Sequence, residues 1–492
     1  MARTTPALNA AIAAHRFGLG EAALDVVQPD AAAWLLGQIG PADSAVGHGL
    51  LSTPQALALV AAERSARQRA RNPPPGGPAA PMPADQGLAD HYRPTIQADA
   101  RSHLLTALAT KRPFAERLQL FWANHFTVSL TKGATRGLVG AFERDAIRPN
   151  IAGPFEALLL ASTTHPAMLR YLDNSLSAGP HSALVARNSR RAARLADGQA
   201  DEMRAPRITG LNENLAREVL ELHTLGAAAA RAGTYTQADV TAFAAVLTGW
   251  RVDLQDAEPD HSASTGSARE APQYFHASWH EPGPKTVLGN SYPAGADALR
   301  SVLHDLALHP ATARFIATKL ARHFVADAPP PALVDRLATT YLRNHGELAP
   351  VYRELVRSPE AWSPQPVKLK TPEEFVLSAL RVLKPGPQFY ERADAASAIG
   401  ITTLGQRVQA APSPAGWSDQ AADWLGPDAV WKRVEWAMRT AARIGANTDA
   451  RALAVQSLGP LLTPTTQMQI ERAADGPQAL ALLLMAPEFQ RR

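Results

Sequence analysis

The segment LNENLAREVLELHTLG, Leu211 to Gly226, places apolar residues three and four positions apart and then stops at a glycine. That spacing predicts an amphipathic helix closed by Gly226 in its C-terminal cap. Turned at 100° per residue, it puts Glu213, Asn214, Arg217, Glu218, Glu221 and Thr224 on one arc. Leu215, Ala216, Val219, Leu220 and Leu222 take the other side, and His223 and Asn212 fall among them. Four-residue spacing of Glu213, Arg217 and Glu221 accounts for the acidic arc as a solvated, salt-bridged face. It does not account for an imidazole and an amide among leucines, because each needs hydrogen-bond partners when buried.

Working outward, the same spacing recurs along nearly all of the 492 residues, which are rich in Ala and Leu and only 6% aromatic. The expected fold is mainly α: a multi-helix globular array with one or two short β-hairpins and long Pro/Arg-rich loops. Thr371-Pro372-Glu373-Glu374 reads as a helix start, with Thr as cap, Pro at the first position and Glu374 closing a capping box. His165-Pro166 and His309-Pro310 each precede an apolar-periodic run, so both histidines are expected at helix caps. Between 273 and 292, two aromatic or β-branched runs flank Glu-Pro-Gly-Pro and predict a hairpin turning there.

Three segments break the helical pattern: RARNPPPGGPAAPMPAD within 64–94, the Arg/Ser/Gly-rich 178–207, and the polar 253–272. The expected organisation is an N-terminal helical segment over 1–62, a Pro-rich flexible linker over 63–97, and a main helical domain over 98–492 with flexible insertions near 178–207 and 253–272. Arg187, Arg190, Arg191 and Arg194 form either an anion catcher or a solvated face.

Composition removes several function classes. Without cysteine there is no disulfide scaffold, thiolate zinc site, iron–sulfur cluster or cysteine nucleophile. A formal charge of +4, spread along the chain, is far from the footprint of a dedicated nucleic-acid binder. No apolar run is long enough to span a membrane, and the first 20 residues lack the greasy core of a signal peptide, so a soluble, cytoplasmic protein is expected. No G-x-S-x-G elbow, P-loop or Rossmann glycine fingerprint occurs.

The residues left to carry chemistry are polar groups on apolar helix faces. In FAERLQLFWANHF (114–126), Leu118, Phe121, Trp122 and His125 share a stripe, with Asn124 nearly opposite on the Leu120 side. His125, His165 and His223, with Glu218 and Glu221, make a candidate catalytic cleft, over which His280 and Lys285 of the hairpin would close. Asn124, Asp173, Asn174, Asn212, Glu213, Arg217 and Trp250 are candidate substrate-binding residues. No His-Glu-x-x-His motif is present, so no metal ligands and no cofactor are assigned.

AHRFGLG (14–20), FWANHFTVS (121–129), HPAMLRYLDN (165–174) and LNENLAREVLELHTLG, followed by YTQADV (235–240), LTGW (247–250), HEPGPKTVLG (280–289), HPATARFIATKLARHFV (309–325) and the closing APEFQRR, run in order along the chain. Together they resemble the bacterial domain-of-unknown-function 1800 family from nearly end to end. That resemblance implies one extended unit and no assigned activity. It also implies a partner, since the family is typically encoded beside an exported, sulfatase-like protein of domain-of-unknown-function family 1501; by this association the periplasm stays open. His280-Glu281 stands where the family usually has His-Asp, and PSPAGW (412–417) lacks the family's lysine. Two readings follow: a helical partner or assembly protein for the family 1501 protein, and, as alternative, a hydrolytic, metal-dependent or metal-free enzyme using the His/Glu cleft.

Overall fold

Local capping chemistry opens many of the helices. In the computed structural model, which describes residues 5–27, 29–71, 85–196, 210–252, 254, 274–386, 389–390 and 400–492, the first helix α1 (Pro6–Ile12) starts on the Thr5 side chain and Pro6. It runs on into a buried π turn, Ala13–Phe17. Helix α2 is Pro113–His125. Helix α3 (Pro166–Tyr171) is capped by His165, whose Nδ1 accepts the Ala167 amide at 3.1 Å. Helix α4 (Asn214–Glu218) passes into a further π turn, Val219–Thr224. Helix α5 (Gln237–Leu247) begins with a Thr236/Asp239 capping box. After the hairpin β1 (Lys285–Val287) and β2 (Asn290–Tyr292) comes α6 (Pro310–Phe324), capped by His309 at 3.1 Å as His165 caps α3. Helix α7 (Pro372–Leu383) carries the capping box read from the sequence, Thr371 Oγ1 accepting from Glu374 N and Glu374 Oε2 from Thr371 N. Helix α8 is Pro427–Ile444.

The chain is mainly α, and β1–β2 is the one sheet among the described residues. The hairpin is displaced from where the sequence placed it. Both strands lie within KTVLGNSY, and the turn is Leu288-Gly289, with φ of 52° and 80°. Two successive positive φ angles suit a tight two-residue hairpin, whereas Pro282 and Pro284 supply no backbone donor for a ladder. Upstream, Phe275 makes only an isolated bridge with Trp250.

Helix also extends into the segments read as linkers. Thr53–Arg71 and Asp85–Ala109 are helices, leaving 72–84 outside the described residues. Most prolines of the segment cluster within 73–83, while the flanks are richer in Arg, Ala and Gln, which favour helix, and Pro94 lies inside the second of these helices. Ala183–Ala196 is helical too, with Arg187, Arg190 and Arg191 exposed; the Arg194 side chain and 197–209 lie outside the described residues, as does 253–272 apart from Leu254.

Two apolar cores form. The larger gathers α1 through α6 and reaches Ala361; Phe17 packs there within 6 Å of Phe114, Phe324 and Trp362. The second joins α7 and α8 to the segments after Ala450 and takes in Leu19, Leu104 and Ala107. A knot of buried charge ties the cores together. Glu374 receives Arg117 Nη2 at 2.6 Å, and Arg492 Nη2 and Nε at 2.7 and 3.1 Å. Arg117 also donates to the Gly18 carbonyl and Arg492 to the His323 carbonyl. Arg492 is set by antiparallel backbone pairing of 368–370 with 490–492. The two guanidinium groups hold the Glu374 carboxyl far below the usual carboxylate range despite its burial.

Removing the carboxylate strands two buried guanidinium ions. Glu374→Ala is expected to lower the unfolding free energy by about 3–5 kcal/mol, read from urea denaturation. A loss below about 1 kcal/mol, the size of an exposed pair, would show that the knot does not join the cores.

Candidate functional site

Beside this knot lies a cavity of about 390 Å³, bounded by α2, α6, the start of α7 and the loop 415–420. Each helix presents one face to it. On α2, Arg117, Leu120, Phe121 and Asn124 recur at three- and four-residue spacing; on α6, Lys319, Arg322 and His323 do the same. The loop is hung on Asn124, whose side-chain amide donates to the Trp417 carbonyl at 2.9 Å and accepts the Trp417 amide at 2.7 Å. Gly416 next to it has φ +83°, and a Cβ there would stand 2.5 Å from the Asn124 carbonyl oxygen. Only glycine fits.

The acidic groups on the wall are already neutralised. Glu374 is held in the knot, Glu373 meets His103 Nε2 at 2.5 Å, and Asp419 stands 3.8 Å from Lys368. The cations of α6 are not. Lys319 donates to His125 Nδ1 at 3.0 Å, and Arg322 to the Asp327 carbonyl at 3.2 Å; neither makes an ion pair among the described residues. Burial lowers Lys319 to about 8, with Asp419 opposing the shift. His323, at the same wall, is pushed well below its ordinary value by burial and then by Arg492 and Arg117.

A family model described as "Protein of unknown function (DUF1800)" matches residues 12–491. The chain belongs to that family. No curated protein and no solved structure matches it.

In this DUF1800 member the histidines proposed for one cleft fall into separate networks. His125 and His223 are neighbours, ring centroids 6.1 Å apart, enclosed with Phe126, and Trp122 and Phe155 flank His125. Because the Lys319 ammonium can only donate, His125 Nδ1 is the acceptor and Nε2 donates to the His223 carbonyl at 3.1 Å. Burial drives His125 far down and His223 to about 3, so both rings are neutral. His165 belongs elsewhere: Nδ1 caps α3, and Nε2 meets Thr53 Oγ1 at 2.8 Å, which donates to Asp145 at 2.6 Å.

His280 and Lys285 differ from their expected place at an exposed tip, for both are buried. His280 Nδ1 donates to the Thr248 carbonyl at 2.7 Å, while its Nε2 accepts from Lys285 and from Gly295 N, each at 3.0 Å. The Lys285 ammonium also caps the Glu281 carbonyl. With the turn moved to Leu288-Gly289, these side chains fold inward.

Asn212 precedes α4, contrary to its expected place on the apolar helix face, and its Oδ1 accepts the Asn214 amide at 3.0 Å. Glu213 and Arg217 pair at 3.1 Å and share Gln237 of α5. Glu218 and Glu221 are half-buried and make no hydrogen bond among the described residues; burial and then Glu221 raise Glu218. Asp173, left-handed at φ 58°, pairs with Lys132 at 2.6 Å. Asn174 donates to the Leu247 and Trp250 carbonyls at 3.0 and 2.7 Å, fixing the chain after α5. Among the described residues no three His, Asp or Glu side chains gather as a metal site would require.

Of the candidates, the cavity wall takes only Asn124; His125 touches it through Lys319. Lys319, Arg322, His323 and Trp417 carried no role in the sequence reading, although all four stand in quoted motifs. The legible signal was Glu116-Arg117 inside the apolar α2 stripe, and both side chains are buried.

Acid stability should follow these neutral histidines. His15, His165 and His223 have folded-state values of about 3, 4 and 3 against an ordinary 6.5, so the unfolded chain takes up protons first as pH falls. Stability is then complete above about pH 6.5 and is lost progressively toward pH 4, with Glu374 adding loss in the same direction below its ordinary carboxyl range. Urea midpoints should fall steadily between pH 7 and pH 5. A flat profile would contradict buried, neutral rings.

Proposed function

We propose that this DUF1800 chain is a non-catalytic helical partner protein working with a sulfatase-like protein of family 1501. The observation that carries this reading is the division of the polar motifs: His125/His223, His165 and His280/Lys285 bond to three separate sets of groups. Both nitrogens of His125, His165 and His280 are occupied by backbone or side-chain partners. Such buried networks specify packing, because a helix shifted by one residue would strand every member. The alternative, a hydrolytic cleft, needs His125, His165, Glu218, Glu221 and His223 to act on one point, and their contacts lead to different places.

A surface of suitable chemistry lies on α8. Its inner face buries Arg433, Trp436 and Ala437, yet Trp431 is 66% and Met438 59% exposed on the outer side, with Val430 also exposed. Tryptophan and methionine are enriched where proteins meet. Co-expressed with a family 1501 protein, the chain should co-elute in size-exclusion chromatography. Trp431→Asp with Met438→Asp should abolish co-elution without changing the melting temperature. Separate elution of the unaltered proteins would overturn the reading.

A further inference from the structure

We infer that the cavity between α2, α6, the start of α7 and the loop 415–420 binds the oxyanion group of a small organic ligand, with Lys319 and Arg322 as its charge partners and Trp417 against its body. This inference is independent of the partner reading, and each fails on a different measurement.

Charge bookkeeping on the wall gives the sign of the ligand. Glu373, Glu374 and Asp419 each face a cation or a histidine, whereas among the described residues Lys319 and Arg322 hydrogen-bond only to an imidazole nitrogen and a carbonyl and make no ion pair. Lys319 stands 5.6 Å from the Phe315 ring centre, and Asp419 acts on it from farther off. Behind the wall the surplus continues. Arg117, Lys370, Arg433 and Arg492 are all buried around the one carboxylate of Glu374. Their crowding shows in the direction of their equilibria: burial, with Arg492 adding to it, lowers Arg117 to about 9, and Lys370 falls well below its ordinary value. An anion in the cavity relieves that repulsion.

Two enclosed donors point to the same ligand. Among the described residues Arg117 Nε and His323 Nε2 have no hydrogen-bond partner, His323 Nε2 coming no closer than 3.9 Å to the Glu374 carboxylate, although both residues line the cavity and Arg117 is only 2% exposed. Buried polar atoms are normally paired, so two orphans at one wall call for an acceptor. Arg117 offers an N–H; His323 can offer one in its Nε2–H tautomer. The lining also supplies Leu19, Leu120, Phe121 and Trp417, an apolar surface suited to the body of the molecule. A volume of about 390 Å³ accommodates such a compound rather than a bare ion. Carboxylate, phosphate and sulfate groups share the required chemistry.

Isothermal titration at constant ionic strength separates these sources. The purified chain is titrated with benzoate, phenyl phosphate and phenyl sulfate, and with acetate, inorganic phosphate and inorganic sulfate. At least one aryl anion is expected to bind saturably and at least about tenfold more tightly than its inorganic or acetate counterpart. Lys319→Gln and Arg322→Gln keep donors for the His125 and Asp327 contacts but remove charge, and each should weaken binding by at least about tenfold. Arg343→Gln, exposed and outside the cavity lining, should leave binding unchanged. Trp417→Ala should erase the aryl advantage. The inference is overturned if none of the six probes binds saturably, or if binding survives unaltered in Lys319→Gln and Arg322→Gln while both variants melt like the parent.

Discussion

The carboxylate of Glu374 is the point on which the arrangement turns. One side chain accepts from α2 through Arg117, from the strand-like segment 490–492 through Arg492, and from its own helix cap through Thr371. Those donors in turn hold the Gly18 carbonyl and the end of α6. Buried ion pairs contribute little net stability, because desolvation offsets most of the attraction. Their strength lies in intolerance of misplacement, since any shift leaves a charge without a partner. Here that intolerance sets α1, α2, α6 and α7 at fixed positions, and the cavity is the space left between them.

The π turns have a related consequence. Each of Ala13–Phe17, Glu143–Ile147 and Val219–Thr224 admits a wider hydrogen-bonding step into a helix, so residues beyond it rotate relative to a regular wheel. Two of these turns carry buried histidines, His15 and His223. His15 donates to the Ser457 carbonyl at 2.8 Å across the two cores. At His15 the extra residue delivers a polar side chain to an interior partner, whereas at His223 only the backbone carbonyl is engaged and neither ring nitrogen is hydrogen-bonded among the described residues.

Several buried histidines of this protein are neutral connectors, whereas His103, raised by Glu373 and Glu143 against its burial, pairs as a cation. His165 and His309 use Nδ1 to cap helices whose first residue is proline, His125 relays between Lys319 and the His223 backbone, and His280 gathers Thr248, Lys285 and Gly295. A lysine donating to an imidazole, as at both His125 and His280, requires the ring to stay uncharged. Burial ensures that, and it leaves the Lys319 ammonium and the Arg322 guanidinium of α6 as the charge facing the cavity.

The amino-acid sequence by itself determined what depends on near neighbours in the chain. The helical class, the Thr371 capping box, the His-Pro caps and the family are all written in residues a few positions apart, because helix periodicity and capping act over one or two turns. The hairpin was legible as a hairpin but not in its turn, where two adjacent positive φ angles outweighed the proline-glycine signal. Tertiary structure alone decided the site. Arg117 and Arg492 meet Glu374 across 257 and 118 residues of chain, and Lys319 reaches His125 across 194. No periodicity encodes such distances. Which polar groups share a point depends on how helices cross, and that is set by the sum of weak apolar contacts across both cores rather than by any local pattern.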